Sequence, residues 1–129
     1  MIKSKRSWGY HYIANIGGCD VDCMRSKEHI KEFLSTLLDA TDMKAVGAPI
    51  FKYIAPSKET IDKEIDGYSV VQIIMTSSIT MHLVESTQMI FFDFFSCKKF
   101  SKAKVRQLLR SYFKNTRIEE SYLTRDTLV

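Results

Sequence analysis

Apolar and polar residues alternate in several short stretches of the chain, and such alternation is typical of strands that bury one face. The stretches are residues 8–16, 44–53, 68–75, 78–84, 89–95 and 116–123. Most of them are rich in β-branched and aromatic residues, which strands favour, and Gly17 and Gly18 end the first one. The pattern therefore predicts six strands.

Two other stretches have the spacing of an amphipathic helix instead. Each follows a serine, Ser26 or Ser101, and serine is a preferred helix N-cap. The apolar positions recur three or four residues apart, as expected for one buried face: Ile30, Phe33, Leu34, Leu37 and Leu38 in the first stretch, and Val105, Leu108, Leu109 and Tyr112 in the second. We expect two helices, the first ending near Thr41.

The resulting order, β-α-β-β-β-β-α-β, predicts the fold class. It favours an α+β fold, a two-layer sandwich of a mainly antiparallel sheet with two helices on one face, because long apolar helix faces need an apolar sheet face to cover. The 129 residues fit a single domain, residues 1–129. Residues 56–67 lack apolar periodicity and predict a surface loop of about a dozen residues, a length that often borders a functional site.

A hairpin in the middle of the chain brings chemically reactive side chains together. Four polar residues, Glu85 to Gln88, separate two strands, so residues whose numbers sum to 173 should lie opposite each other. This register places His82 on one face with Asp93, and it places Cys97 beside the Thr76–Ser77 peptide bond. Hydroxyls, an imidazole and a thiol on adjacent strands predict one of two things. They form either a reactive centre or a polar hairpin in which these side chains only make hydrogen bonds within the fold.

Composition and cysteine count indicate the compartment of the protein and exclude some classes of partner. No apolar run approaches the roughly 20 residues that a membrane helix needs, so no membrane partner is expected. Three cysteines are an odd number, which argues against a disulfide framework and favours a cytoplasmic protein with reduced thiols. Cys19 and Cys23 have no second cysteine pair, and no metal site is expected there.

The final part of the chain is basic. Residues 98–129 hold nine Lys or Arg residues against three acidic ones, in a chain of net charge +4. Five of the basic residues recur every fourth position: Lys98, Lys102, Arg106, Arg110 and Lys114. This stripe is typical of a solvated helix face, and nucleic acid is not an expected partner because an RNA-binding aromatic motif is missing. The competing hypothesis is a small basic binding module without chemistry.

Several segments together resemble the small prokaryotic type of S-adenosylmethionine decarboxylase proenzyme, a pyruvoyl-dependent family of polyamine and spermidine synthesis. The similar segments are residues 8–13, 18–22, 51–56, 67–71, 77–82 and 93–97. The spacing of five residues from Ser77 to His82 and of fifteen from His82 to Cys97 matches the family jointly.

The resemblance implies a self-cleavage reaction and a role for each candidate catalytic residue. The Ser77 hydroxyl attacks the carbonyl of Thr76, and the resulting ester eliminates and hydrolyses to leave a pyruvoyl group, splitting the chain into residues 1–76 and 77–129. His82 assists the elimination, Ser69 stabilises the processing intermediates, and Cys97 later protonates the substrate carbon.

The same resemblance implies a carboxy-lyase with a pyruvoyl cofactor derived from Ser77. A ketone next to an amide can form a Schiff base with a substrate amine and accept the electrons left by decarboxylation. The expected reaction converts S-adenosylmethionine to decarboxylated S-adenosylmethionine. Family members of this size pair to build sites between protomers, so a homodimer is expected.

Two positions depart from the family pattern. Thr76 stands where the family usually has glutamate, before the processing serine. Ser86 stands where the family has its ribose-binding glutamate, and Glu85 lies one position earlier, so Glu85 and Ser86 are the candidate substrate-binding residues. A related pyruvoyl decarboxylase of arginine or ornithine, or an unprocessed homologue, stays open as an alternative.

Overall fold

The protein is described by a computed structural model that covers residues 6–128. The strands are β1 (Ser7–Gly17), β2 (Ile50–Ile54), β3 (Gly67–Ile74), β4 (Ser77–Val84), β5 (Met89–Ser96) and β6 (Arg117–Asp126). The helices are α1 (Val21–Arg25), α2 (Lys27–Ala40), α3 (Lys58–Asp62) and α4 (Lys102–Phe113). The strands form one antiparallel sheet in the order β2-β3-β4-β5-β1-β6, which confirms the predicted α+β fold.

The two long helices bury their predicted apolar faces in a common core with one face of the sheet. All five apolar positions predicted for α2 are buried, and Phe33 packs against Phe92 of β5 with ring centroids 6.1 Å apart. In α4, Val105 and Leu109 are buried as predicted, whereas Leu108 and Tyr112 are only partly buried against the core. Ser26 and Ser101 are the N-caps, and the Ser26 hydroxyl accepts the His29 backbone N–H at 3.1 Å.

The central hairpin has the predicted register. Val84 lies opposite Met89, His82 opposite Phe91, and Thr80 opposite Asp93. The same pairing continues to the end of β4, where Ser77 lies opposite Ser96. Because alternate residues of a strand face opposite sides of the sheet, this register decides which reactive side chains can meet.

Two local predictions need correction, and one short helix was not predicted. That helix is α1, where the side chain of the N-cap Asp20 accepts a hydrogen bond from the Asp22 N–H. The predicted loop over residues 56–67 contains α3, which is capped by Ser57. The strand predicted over 44–53 is wrong in its first half: β2 begins at Ile50, because Pro49 has no N–H to donate.

The sheet face opposite the helices carries apolar side chains that are open to solvent. Ile50 is 52% exposed, Ile73 49% and Phe91 39%. We call this surface the open face. Within residues 6–128, no helix combines the length and apolar character needed to cross a bilayer.

Candidate active site

The predicted cleavage bond lies in the tight turn between β3 and β4. Ile74 pairs with Ser77, so only Met75 and Thr76 form the turn. Thr76 has φ 54°, in the left-handed region that β-branched residues avoid because of steric repulsion between side chain and backbone. The four other non-glycine residues with positive φ in the described chain are not β-branched: Asp42, Glu64, Gln88 and Lys114. The backbone at Thr76 is therefore strained.

Ser77 and Cys97 meet beside this turn. The backbone N–H of Cys97 donates a hydrogen bond to Ser77 Oγ at 3.2 Å. Both residues line a cleft of about 410 Å³, together with Thr76. The Cys97 side chain is exposed, so its thiol is accessible to a small molecule in the cleft. The backbone of Cys97 therefore lies next to Ser77, and the position of its thiol beside the Thr76–Ser77 bond stays a prediction.

Ser69 and His82 form a second pair on the open face. They lie opposite each other on β3 and β4, and Ser69 Oγ is 2.9 Å from His82 Nδ1. Both residues line a separate cavity of about 440 Å³. A hydrogen-bonded hydroxyl and imidazole at the wall of a cavity can exchange a proton with a bound group.

The two pairs are separated within one chain. Ser77 and His82 are five residues apart on β4, which corresponds to roughly 16 Å at about 3.3 Å per residue. They also face opposite sides of the sheet, since Ser77 lies opposite the buried Ser96 whereas His82 projects from the open face. Ser69 and Ser77 would face the same side of the sheet only if β3 continued as a regular strand as far as residue 77. It does not, because the turn at Thr76 follows the end of β3. Within one chain, the Ser77–Cys97 pair and the Ser69–His82 pair are therefore two separate groups.

The candidate substrate-binding residues are held within the protein. Glu85 is buried, and its Oε1 accepts from Arg25 Nε at 2.7 Å. Its Oε2 has no hydrogen-bond partner among the described residues. The Ser86 hydroxyl donates to Asp66 Oδ1 at 2.6 Å, and the Ser86 N–H donates to Asp66 Oδ2 at 3.1 Å. Sequence analysis missed Asp66, because a contact across 20 residues leaves no local signal.

The other two thiols lie in protected environments. Burial raises the pKa of Cys19 to about 12, and its Sγ lies 3.8 Å from the carbonyl oxygen of Ile16. Burial also raises the pKa of Cys23. The nearby His29 ring is bonded through Nε2 to the Tyr112 carbonyl at 2.7 Å. All three thiols are free, and residues 6–128 contain no cluster of three potential ligands of the His, Cys, Asp or Glu type.

Ion pairs occupy much of the basic stripe on α4. Arg106 donates to Glu120, and this hydrogen bond lowers the pKa of Glu120. Lys98 bonds to Asp42 at 2.8 Å, and Lys114 lies 3.6 Å from Asp20. Since these cations have carboxylate partners of their own, the stripe is a weak candidate for an anion-binding surface.

Comparisons with known proteins show which family the chain resembles. The sequence profile described as S-adenosylmethionine decarboxylase matches residues 10–126. The chain is 31% identical over 115 residues to an S-adenosylmethionine decarboxylase proenzyme of Clostridium botulinum strain Langeland, covering 87% of this chain and 90% of the relative. A proenzyme of the same name from strain Loch Maree is 29% identical over 115 residues, again covering 87% of this chain and 90% of the relative.

The fold is also similar to that of a solved protein. The crystal structure of the adenosylmethionine decarboxylase from Aquifex aeolicus matches with a TM-score of 0.77 and 18% sequence identity. The match covers 96% of this chain and 95% of that one, and at this identity it shows a common fold. Taken with the profile and the two clostridial relatives, it leads to one conclusion: the chain belongs to the S-adenosylmethionine decarboxylase family.

Proposed function

We propose that this chain is a self-processing, pyruvoyl-dependent decarboxylase that converts S-adenosylmethionine to its decarboxylated form for polyamine synthesis. The observation that carries the proposal is the contact at the strained turn, where the Cys97 N–H is bonded to the Ser77 hydroxyl directly beside Thr76. The curated relatives are named proenzymes, which agrees with a chain that must be cleaved before it acts.

Processing begins with the Ser77 hydroxyl. Its oxygen attacks the carbonyl carbon of Thr76, and the amide C–N bond breaks as the new C–O ester bond forms. Removal of the Ser77 α-proton then expels the Thr76 carboxylate and leaves dehydroalanine, whose imine tautomer takes up water and releases ammonia. The products are residues 1–76, ending at the Thr76 carboxylate, and residues 77–129, beginning with a pyruvoyl group. The conformational strain at Thr76 favours this cleavage, because the free chain end can relax.

Cys97 is the proposed proton donor to the substrate carbon after carbon dioxide leaves. The pyruvoyl group, once formed at position 77, supplies a ketone that withdraws electrons from the breaking carbon–carbon bond. The cleft around residue 77 fits this role, since Cys97 also lines it and is exposed. A thiol holds a proton at neutral pH and can deliver it over a short distance.

The complete site is proposed to form between two copies of the chain. Ser69 and His82 are bonded to each other roughly 16 Å along the sheet from Ser77, so they are too far away to act on that residue within one protomer. A second copy could supply them, because Ser77 is the first residue of β4 and a partner packed on the open face could reach it past the turn at that end of the strand. The exposed apolar residues of the open face are suited to burial in such a homodimer. In that arrangement Ser77 and Cys97 of one protomer work with Ser69 and His82 of its partner.

The alternatives are less well supported. The relatives' names mention neither arginine nor ornithine, and the basic stripe of α4 is partly neutralised by Asp42, Glu120 and Asp20. The three free thiols are compatible with the reducing cytoplasm that the cysteine count predicts.

Intact mass spectrometry of the purified protein tests self-processing. We expect two species with the masses of residues 1–76 and 77–129, the second lacking a free amino group. Ser77→Ala should give one uncleaved species, whereas the matched control Ser78→Ala, which alters the adjacent hydroxyl, should still be cleaved. A wild-type chain that stays intact on prolonged incubation would refute the proposal. Release of carbon dioxide from S-adenosylmethionine then tests the substrate.

Mixed dimers test the placement of the site between protomers. Co-expressed Ser77→Ala and His82→Ala chains should form a heterodimer in which one site is intact, so the His82→Ala chain should be cleaved there. Each variant expressed alone should remain uncleaved or be cleaved far more slowly. If mixing the variants restores no cleavage while heterodimers are detected by mass, the site lies within one protomer.

A further inference from the structure

The cavity beside Ser69 and His82 has a chemical character of its own. Its walls are largely apolar, including Ile65, Tyr68 and Phe91, and among the described residues that line it Glu64 is the only one of the Asp, Glu, Lys or Arg type. We call this cavity the Glu64 pocket. An apolar pocket of about 440 Å³ with one carboxylate at its wall suits part of a small molecule that combines an apolar stem with a polar or charged group.

The Glu64 carboxylate is free to bind a ligand. Its backbone is fixed just after α3, because the Glu64 N–H donates to the Ile61 carbonyl at 3.0 Å. Within residues 6–128, its side chain makes no ion pair or hydrogen bond. The neighbouring Glu59 is different, since Lys63 Nζ lies 2.9 Å from its Oε1.

Asp66, which lies between the lining residues Ile65 and Gly67 in the chain, adds a second carboxylate near the pocket. Asp66 is buried, and the hydrogen bonds that its carboxylate accepts come from the Ser86 hydroxyl and amide, which carry no charge. Glu85, by contrast, is neutralised by Arg25. Lys52 lies opposite Ser69 on β2 but is exposed and does not line the pocket. Among residues 6–128, neither Glu64 nor Asp66 has a cationic partner; Asp66 is buried and Glu64 is exposed, and the charges of both carboxylates act on a cation bound at this end of the sheet.

We propose that the Glu64 pocket binds the positively charged part of the amino-acid substrate, with Glu64 as the residue that selects for that charge. This inference rests on the proposed function and adds the recognition chemistry. The three candidate substrates all carry a positive charge on a largely apolar chain at neutral pH. The charged group is the sulfonium of S-adenosylmethionine, the guanidinium of arginine or the ammonium of ornithine. The carboxylate attracts the charge, and the apolar walls cover the stem.

Binding to the Ser77→Ala chain tests this inference without any contribution from a covalent bond at position 77. Calorimetric titrations would use S-adenosylmethionine, arginine and ornithine as cationic ligands and 5′-methylthioadenosine as a neutral nucleoside. Glu64→Gln should weaken binding of the cationic ligand that the pocket accepts by about fivefold, the upper range for a partly exposed ion pair. Glu64→Lys should weaken it further. Binding of the neutral nucleoside should stay unchanged in both variants.

Glu59→Gln is the matched control, because Glu59 belongs to the same segment but is paired with Lys63 outside the pocket. It should leave all affinities unchanged. Equal affinities across the Glu64 variants, an equal loss for the neutral nucleoside, or no binding of any cationic ligand would each overturn the inference.

Kinetics of the processed enzyme provide an independent readout. Glu64→Gln should raise KM about fivefold while kcat changes less than about twofold, because the carboxylate is expected to contact a positive charge that stays the same from the bound substrate to the transition state. A fall in kcat with an unchanged KM would contradict selection by charge. Failure of the proposed function is detected separately, since it would show as an uncleaved wild-type chain, and the titrations on Ser77→Ala would keep their meaning.

Discussion

At the scale of single residues, Thr76 combines two features that rarely occur together. It is β-branched, and its φ of 54° lies in the left-handed region. Such a conformation costs on the order of 1–2 kcal/mol, and it persists because the strand pairing on both sides fixes the turn. The residue whose carbonyl is attacked in the proposed cleavage is thus the one with the strained backbone.

Replacing Thr76 with glycine should relieve this strain, since glycine adopts positive φ readily. In the Ser77→Ala background, where cleavage cannot occur, we expect Thr76→Gly to raise the free energy of unfolding by about 0.5–1 kcal/mol, after the entropy cost of glycine is subtracted. In the chain with Ser77 intact, cleavage should slow severalfold. Urea unfolding and the time course of fragment formation measure the two effects.

Lys114→Gly is the matched control for this substitution. Lys114 also has positive φ, at 55°, but it caps α4 and is not part of the turn between β3 and β4. Its replacement should leave the rate of cleavage unchanged. If Thr76→Gly cleaves as fast as the wild-type chain, the conformation of Thr76 contributes nothing to processing.

At the scale of elements, local signals explain what the sequence could predict. Helix α2 and the hairpin closed by Glu85 to Gln88 have strong periodicity and clear ends, and both were predicted correctly. Helices α1 and α3 have five residues each, too few to show a period. The contact between Ser77 and Cys97 followed from hairpin register. The pairing of Asp66 with Ser86 and the position of Glu64 in a cavity depend on tertiary packing, which spacing along the chain does not encode.

One link between elements should make stability depend on pH. Arg106 of α4 donates to Glu120 of β6, and this hydrogen bond holds the Glu120 pKa below its ordinary value. The unfolded chain, with a glutamate pKa of about 4.3, then binds more protons than the folded protein below that pH. The contribution of Glu120 is present above about pH 4.3 and is lost as the pH falls through the lower pKa of the folded state.

Comparison of wild-type and Glu120→Gln proteins measures this contribution. We expect the variant to be less stable at pH 6 by about 1 kcal/mol, allowing for solvent screening, and the difference to shrink toward pH 3. Glu119→Gln, a change at the exposed neighbouring position, should match the wild type throughout. A difference for Glu120→Gln that stays constant with pH would show that charge is not its source.

At the scale of the whole molecule, the open face is the surface through which the proposed homodimer would bring the Ser77–Cys97 pair of one copy to the Ser69–His82 pair of the other. Ile73 lies on this face and is about half exposed. Ile73→Glu would place a charge where a partner sheet is expected, so the variant should sediment as a monomer at concentrations where the wild type is a dimer, and its cleavage should fall. Ile61→Glu, on the exposed side of α3, should change neither. A dimer that survives Ile73→Glu would place the interface elsewhere.

The proposed cleavage after the turn formed by Met75 and Thr76 would make refolding of the protein a different process before and after maturation. A bond broken there would separate β3 from β4 in sequence, while the six residue pairs between these strands would still hold the two fragments in one sheet. Refolding of the cleaved protein would require two molecules to meet, and Ser77 would already have been converted to the cofactor. The uncleaved precursor would refold as a single chain, whereas the cleaved protein would keep its activity only as long as it stays folded.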